Sequence, residues 1–251
     1  MRGQWLGTYT GTSSGTIIVN ADEREARFQG VAYLSNNDGS MPRIFASFRT
    51  EGKQQNFTLR TDSLSVIHPV TGDRMSWETV KAQYPDGTQM PQYADVTGSW
   101  NDTELKLSWV TDIGSSGACA LPRTQAGKES ELVPLQMDWN GYKDHVATLE
   151  RRQYLFRGQN KPWRLRTSFH RTGRADLTRF LAEDIAALHR HLSARTKHVF
   201  NLAIGIENGA FFNLVQHHGY PTPLLDWSYS PYVAAFCAYR GISNQDAANA
   251  R

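Results

Sequence analysis

The hydrophobic period of this 251-residue chain changes near residue 140, and that change constrains the fold more than any other feature. Before this point, short segments of alternating or β-branched character recur between clusters of turn-forming residues. About eight strands in about 120 residues suit a meander that closes on itself, because closure hides the edges of an antiparallel sheet. We therefore predict an all-β antiparallel barrel over residues 1–120. The predicted strands are Gln4–Thr10, Thr16–Asn20, Arg27–Leu34, Ile44–Arg49, Phe57–Thr61, Asp95–Trp100 and Glu104–Thr111.

A barrel of this size either fills with side chains or holds one small ligand. Two of its early segments, Gly3-x-Trp5 and Phe28-x-Gly30-x-Ala32-Tyr33, are similar to the openings of lipocalin-like and avidin-like barrels. In those barrels a Trp plugs the closed end. The candidate pocket residues are Trp5, Trp100 and Trp109, and the alternative is that these aromatic side chains form the core.

Residues 121–143 contain several Pro and Gly and have no sustained period, which predicts a linker. The chain is thus predicted to form two domains, the second over residues 144–251.

In the second domain the apolar period becomes about 3.6 residues, which predicts helices. One helix is expected over Asp176–Thr196 with Asp176 as its N-cap. A second helix is expected over Asn208–His217, with Gly219 as the residue that terminates it. A third helix is expected to begin at Ser230-Pro231. Before these helices, Gln153–Phe156 predicts a buried strand. The second domain is therefore predicted to be α+β.

Two motifs mark the second domain. The first motif is Tyr154-Leu155-Phe156-Arg157-Gly158-Gln159. The second motif is His217-His218-Gly219-Tyr220-Pro221-Thr222-Pro223-Leu224-Leu225-Asp226-Trp227-Ser228-Tyr229-Ser230-Pro231. Together they resemble the FRG domain, a bacterial family named for its Phe-Arg-Gly motif, over about Tyr154–Gly241. Members of that family continue past this point, so the resemblance implies an FRG domain that is truncated at its C-terminus.

The first motif offers a candidate anion clamp. Arg157 carries a cation, and Gly158 lets another group approach the backbone, which suits a phosphate or carboxylate. The alternative is an ion pair between Arg157 and Asp226, because a half-buried carboxylate needs a partner. The candidate ligand-binding residues are Arg157, Gly158, Gln159 and Trp227.

The candidate catalytic residues are His218, Asp226 and Ser228. His218 could act as a general acid or base near neutral pH, or it could favour the negative end of a helix dipole. No Gly-x-Ser-x-Gly elbow supports a Ser-His-Asp triad, and no Gly-rich phosphate loop is present. Neither a Cys pair nor a His-x-x-x-His with a third ligand occurs, so we expect no metal site.

A second resemblance concerns ADP-ribosyltransferases. Phe156-Arg157-Gly158 looks like the element whose Arg holds NAD in that superfamily, and Asp226-Trp227-Ser228 with Val233–Ala238 looks like a later element. The resemblance implies NAD as the candidate ligand or cofactor. Two departures stand against it: Asp-Trp-Ser replaces Ser-Thr-Ser, and the late catalytic Glu has no counterpart after Gly241.

The net charge of +3 is unevenly divided between the two halves of the chain. Residues 1–144 carry 13 Lys and Arg against 17 Asp and Glu, whereas residues 145–251 carry 14 against 7. The second half is therefore expected to favour an anionic small molecule, a nucleotide or a nucleic acid. Two cysteines suit reduced thiols, and no apolar run is long enough to span a membrane, so we expect a cytoplasmic protein.

These observations predict a bacterial intracellular effector, of phage defence or of a toxin system. In this interpretation the barrel binds a small ligand and the FRG domain acts on a nucleotide, with NAD as the candidate. Two alternatives stay open. One is a non-enzymatic binding module, and the other is nucleic-acid binding through the basic half, where Arg164, Arg166, Arg171 and Arg174 cluster.

Overall fold

The computed structural model describes residues 1–37, 39, 41–68, 70–124, 128–240 and 242–243. Parts of the predicted linker and of the loop at 36–40, and nearly all of the C-terminal tail, lie outside these ranges. The chain forms two compact units. The first unit is Met1–Thr124 with Phe169–Thr222, and the second unit is Gln125–Ser168 with Pro223–Arg251. The sequence-based domain boundaries stay a prediction.

Among the described residues, the first unit contains a ten-stranded antiparallel sheet. All seven predicted strands are confirmed, and three short or weakly patterned strands were not predicted. The strands are β1 (Gly3–Gly11), β2 (Gly15–Glu23), β3 (Phe28–Asn36), β4 (Arg43–Arg49), β5 (Asn56–Arg60), β6 (Ser63–Ile67), β7 (Arg74–Met75), β8 (Ala94–Trp100), β9 (Glu104–Thr111) and β10 (Ser116–Pro122). Their spatial order is β5-β8-β9-β10-β1-β2-β3-β4-β6-β7.

The prediction of a closed barrel is wrong, because the sheet is open with β5 and β7 at its edges. β5 pairs with β8, whereas β6, only two residues further along the chain, pairs with β4. At this corner the amide of Thr61 donates to the carbonyl of Ala94 at 3.0 Å, and that of Asp62 donates to the carbonyl of Ser47 at 2.8 Å. The chain therefore changes partner strands at Thr61–Asp62. A closed barrel would need hydrogen-bonded pairing between the two edge strands, and the described sheet has none.

The three tryptophans predicted to line a barrel pocket all contact the main apolar core of the sheet. Trp5 is fully buried, and its indole nitrogen donates to the carbonyl of Met1 at 2.8 Å. Trp100 packs edge-on against Phe28 with ring centres 5.5 Å apart. Trp109 lies 5.7 Å from the ring of Tyr9. A ligand-binding role for these residues stays a prediction.

The C-terminal part of the chain is mainly helical in the described residues. Asp176 caps the predicted helix, accepting from the amide of Arg179 at 3.0 Å, and Gly219 has the left-handed φ of +84° that ends the next one. The helices are α1 (Trp77–Val80), α2 (Trp139–Thr148), α3 (Ser168–Arg171), α4 (Leu177–Arg179), α5 (Ala186–Ser193), α6 (Gly205–His217) and α7 (Pro231–Tyr239), with a π-helical segment, Phe180–Ile185, joining α4 to α5. Within the described ranges, no helix is long and apolar enough to cross a membrane.

The prediction of a buried strand at Gln153–Phe156 is wrong. Tyr154 and Leu155 are 48% and 53% exposed, and Phe156 forms one isolated bridge instead of a ladder. The described part of the second unit contains helices and isolated β-bridges, so Gln153–Phe156 has no sheet to join.

A buried carboxylate on β2 joins the sheet to the helices of the first unit. Asp22 is buried, and its Oδ1 accepts from the amide of Ala175 at 3.0 Å. Its Oδ2 accepts from Arg174 Nε at 3.2 Å and from Arg179 Nη1 at 3.0 Å. Arg174 also pairs with Asp184. Two cations and a backbone donor therefore compensate the burial of this carboxylate.

Replacing Asp22 should destabilise the first unit strongly. Asp22→Asn removes the charge that compensates Arg174 and Arg179, and breaking a buried pair costs roughly 3–5 kcal/mol. We expect a loss of about 3 kcal/mol in the free energy of unfolding, measured by urea denaturation. The matched control is Asp95→Asn, whose pair with Arg60 is 57% exposed on both sides, and here the loss should be much smaller because solvent screens an exposed pair. Equal losses in the two variants would contradict a structural role for Asp22.

Candidate functional site

The two sequence motifs meet in the second unit through main-chain pairing. The amide of Phe156 donates to the carbonyl of Ser228 at 2.8 Å, and the amide of Ser228 donates to the carbonyl of Phe156 at 2.9 Å. This isolated antiparallel bridge joins segments that lie about 70 residues apart in sequence. It fixes the position of Arg157 on one side and of Asp226 on the other.

Arg157 binds the loop of the second motif through the main chain. Its Nη1 donates to the carbonyl oxygen of Asp226 at 2.9 Å. The two residues that sequence reasoning paired are thus in contact, and the acceptor is the backbone of Asp226. A second nitrogen of the same guanidinium, Nε, is buried and has no hydrogen-bond partner among the described residues. Arg157 therefore both stabilises the loop and keeps an unsatisfied donor.

Gly158 is required by packing against α7. A Cβ atom on this residue would lie 1.9 Å from the carbonyl oxygen of Ala234 and 2.6 Å from the amide nitrogen of Ala238. Real Cβ atoms essentially never come so close to backbone atoms. The group that Gly158 admits to its backbone is therefore helix α7.

The residues before α7 form a capped turn. The Oγ of Ser228 accepts from the amide of Ser230 at 2.9 Å, and the Oγ of Ser230 accepts from the amide of Val233 at 3.3 Å. Pro231 follows the cap inside the first turn of the helix. This confirms the predicted start of α7, and it gives the hydroxyl of Ser228 a structural contact.

Gln159 resembles Arg157 in having one satisfied and one unsatisfied polar group. Its Nε2 donates to the carbonyl of Trp163 at 2.9 Å, which fixes the orientation of the amide. Its Oε1 is buried, and within the described part of the chain it has no hydrogen-bond partner. Native proteins leave few buried polar atoms unpaired, so the unpaired Arg157 Nε and Gln159 Oε1 need a physical explanation.

A cavity of about 320 Å³ lies between α2, α7 and the first motif, and we call it the α2–α7 cavity. Both residues with unsatisfied atoms, Arg157 and Gln159, line it. On the α7 side three of its four described lining residues are alanines, which leave the space open. The described lining residues are Met137, Asp138, Trp139, Tyr142, Phe156, Arg157, Gly158, Gln159, Ala234, Ala235, Ala238 and Tyr239.

Aromatic residues of α2 form one wall of this cavity. The rings of Trp139 and Tyr142 stack with centres 5.6 Å apart, and the hydroxyl of Tyr142 donates to the carbonyl of Pro231 at 2.7 Å. Burial raises the pKa of Tyr142, and the nearby Tyr232 and Tyr239 act in the same direction. The phenol therefore stays protonated and remains a donor at neutral pH.

Sequence reasoning missed this aromatic wall because α2 begins inside the range predicted as a linker. A signal for the helix was present: Asp138 precedes Trp139-Asn140-Gly141-Tyr142, as an N-cap would. In the structure Asp138 Oδ1 accepts from the amide of Gly141 at 2.7 Å. This cap places Trp139 and Tyr142 on the cavity.

The predicted catalytic residues are divided between the two units. Asp226 and Ser228 belong to the second unit with Arg157, whereas His218 belongs to the first. His218 is exposed, directly after α6. Trp227 is 47% exposed in the loop between Asp226 and Ser228. Arg157, Gly158 and Gln159 are thus the predicted site residues that the structure places on the α2–α7 cavity.

Two arginines of the predicted basic cluster have acidic partners. Arg164 pairs with Glu131, and Arg174 pairs with Asp22 and Asp184. These contacts reduce the positive charge available to a nucleic acid at those positions. Within the described residues, no group of three or more His, Cys, Asp or Glu is placed to hold a metal ion.

Comparison with protein families agrees with the two motifs. Residues 152–247 match the family model of the FRG domain, a range that includes both motifs and the helices between them. The N-terminal sheet lies outside the match. No curated protein and no solved structure gives a significant match to the chain.

Gly158→Ala should disrupt the second unit. The added methyl group would overlap the backbone of α7, and overpacking of this kind costs roughly 1–3 kcal/mol or more. We expect a loss of about 3 kcal/mol in the free energy of unfolding, measured by chemical denaturation. Gly209→Ala is the control, since a Cβ on Gly209, inside α6, would meet nothing within 4 Å. That change should stabilise by about 0.5–1 kcal/mol. If Gly158→Ala left the free energy of unfolding unchanged, Gly158 could not lie this close to the backbone of α7.

Proposed function

We propose that this FRG domain-containing protein binds a nucleotide in the α2–α7 cavity, and that the ligand is NAD or one of its mononucleotide halves. One observation carries the proposal. A buried donor, Arg157 Nε, and a buried acceptor, Gln159 Oε1, lack partners among the described residues, and both side chains line this cavity. A buried polar group left unpaired costs roughly 1–3 kcal/mol. A ligand in the cavity would recover that cost once a small side-chain rotation exposes both atoms to it.

The chemistry of the cavity matches the parts of a nucleotide. A phosphate oxygen is a strong acceptor for the guanidinium of Arg157. The carbonyl oxygen of Gln159 can accept from an amino group of a base or a hydroxyl of a ribose. The rings of Trp139, Tyr142 and Tyr239 supply aromatic surface for a planar base.

The volume of the cavity indicates how much of a dinucleotide it takes. Sites for small organic ligands usually measure roughly 300–1,000 Å³. At about 320 Å³ the α2–α7 cavity is at the lower end of that range. We therefore propose that it holds one nucleotide moiety, with the remainder of a dinucleotide outside it.

Binding is better supported than catalysis. Cleavage of the nicotinamide bond would need a carboxylate near the positive ribose of the transition state. Among the described lining residues the carboxylate is Asp138, which already caps α2. We further propose an ADP-ribosyltransferase-like or NAD-cleaving reaction, and an effector role in bacterial phage defence or a toxin system. Release of nicotinamide during incubation with NAD tests for the reaction.

Arg157→Ala should weaken nucleotide binding. Hydrogen bonds to charged groups contribute roughly 1.5–3 kcal/mol, so we expect the affinity for AMP, nicotinamide mononucleotide or NAD to fall about 10- to 100-fold. Isothermal titration calorimetry measures this directly. Gln159→Glu keeps the size of the side chain, adds negative charge and removes the donor to the carbonyl of Trp163, and it should weaken the binding of the same ligands.

Arg164→Ala is the matched control in the same unit. Arg164 pairs with the exposed Glu131 and is not a described lining residue of the cavity. The affinity of the Arg164→Ala variant for the three nucleotides should equal that of the wild type. The proposal fails if the wild type binds none of the three nucleotides, or if Arg157→Ala and Arg164→Ala bind them equally.

A further inference from the structure

The open sheet of the first unit encloses a second, apolar cavity of about 100 Å³. Strands near both ends of the sheet line it, since Leu59 lies on the edge strand β5 and Leu64 lies on β6, the strand next to the other edge. Val19, Leu34 and Leu107 contribute from the strands between them. The described walls present no polar surface to this space. A cavity of this kind stays dry, because water entering it would find no hydrogen-bond partners.

A wider space of about 450 Å³, which we call the vestibule, adjoins the apolar cavity. The two share several lining residues, including Leu34, Ile44 and Trp109, so they lie side by side. The vestibule differs in chemistry, since Ser13, Asn36 and Ser115 are among the side chains that line it. Its described lining residues carry hydroxyl, amide and apolar groups and no formal charge.

We propose that the sheet binds an uncharged amphipathic small molecule. Its short alkyl group fills the apolar cavity, and its hydroxyl- or amide-bearing head occupies the vestibule. The apolar cavity has about the volume of three water molecules in the liquid, which suits a short alkyl group. The absence of charge on the described vestibule walls favours a neutral head, because a charged one would lose hydration without gaining a counter-charge. This site lies in the first unit and does not depend on nucleotide binding.

Alkyl glucosides of increasing chain length, each below its micelle-forming concentration, test the proposal by calorimetry. Burial of each added CH₂ should raise the affinity about fourfold until the apolar cavity is full, after which the affinity should level off. Glucose alone should not bind measurably. Hexanoate, which has a charged head, should bind more weakly than hexyl glucoside.

A cavity-filling variant locates the alkyl group. Ala46 is a buried lining residue of the apolar cavity, so Ala46→Leu should reduce the affinity for hexyl glucoside at least tenfold. The matched control is Ala118→Leu, on an exposed position of β10, which should bind like the wild type.

Methyl NMR of the unmodified protein keeps the test independent of how the variants fold. Hexyl glucoside should shift the methyl resonances of Leu34 and Leu107 and leave those of Val146 and Val215 unchanged. The proposal is overturned if no glucoside binds, if affinity is independent of chain length, if Ala46→Leu and Ala118→Leu bind equally, or if the shifts occur at Val215 instead.

Discussion

The close approach of Gly158 to the backbone of α7 is the contact on which the candidate site depends. Because this residue has no side chain, the first motif can lie directly against Ala234 and Ala238. The residues on either side, Arg157 and Gln159, are then held at the wall of the α2–α7 cavity. Each residue of the Phe-Arg-Gly sequence therefore has a separate physical role. Phe156 pairs with the second motif through its backbone, Arg157 binds the carbonyl of Asp226, and Gly158 packs against the helix.

Arg157 and Gln159 combine structural and binding roles in one side chain each. One nitrogen of each side chain donates to a backbone carbonyl, which fixes its position. Another polar atom of each is buried and, in the described structure, unpaired. A preorganised site of this kind loses little conformational entropy when a ligand binds, because the side chains are already ordered. The same arrangement means that Arg157→Ala and Gln159→Glu each remove a structural hydrogen bond as well as a contact with the ligand, which is why Arg164→Ala is needed beside them.

Local signals in the sequence predicted much of the fold. Alternation gave seven strands, and the caps Asp176 and Ser230 gave the starts of two helices. Closure of the sheet could not be predicted, because it depends on which strands pair at the Thr61–Asp62 corner, and periodicity carries no information on pairing. The buried strand at Gln153–Phe156 was wrong for a related reason, since burial requires a neighbour that local pattern does not identify.

The candidate site was predictable in part. The sequence identified the two motifs and the contact between Arg157 and Asp226, but it assigned that contact to the carboxylate. It grouped His218 with residues that belong to the other compact unit. It missed Trp139 and Tyr142, because a ten-residue helix with several polar residues gives a weak hydrophobic period. Asp22 was missed as well, since a single acidic residue on a strand gives no sign that two arginines about 150 residues later will surround it.

Arginine side-chain NMR shows directly whether a nucleotide satisfies the unpaired donor of Arg157. The Nε–H resonance of Arg157 is followed while AMP or NAD is added, with that of Arg164 as internal reference. If the nucleotide pairs with this donor, the Arg157 resonance shows a saturable shift, in step with binding measured by calorimetry, and the Arg164 resonance does not change. An Arg157 resonance that stays fixed while a nucleotide binds would rule out this pairing.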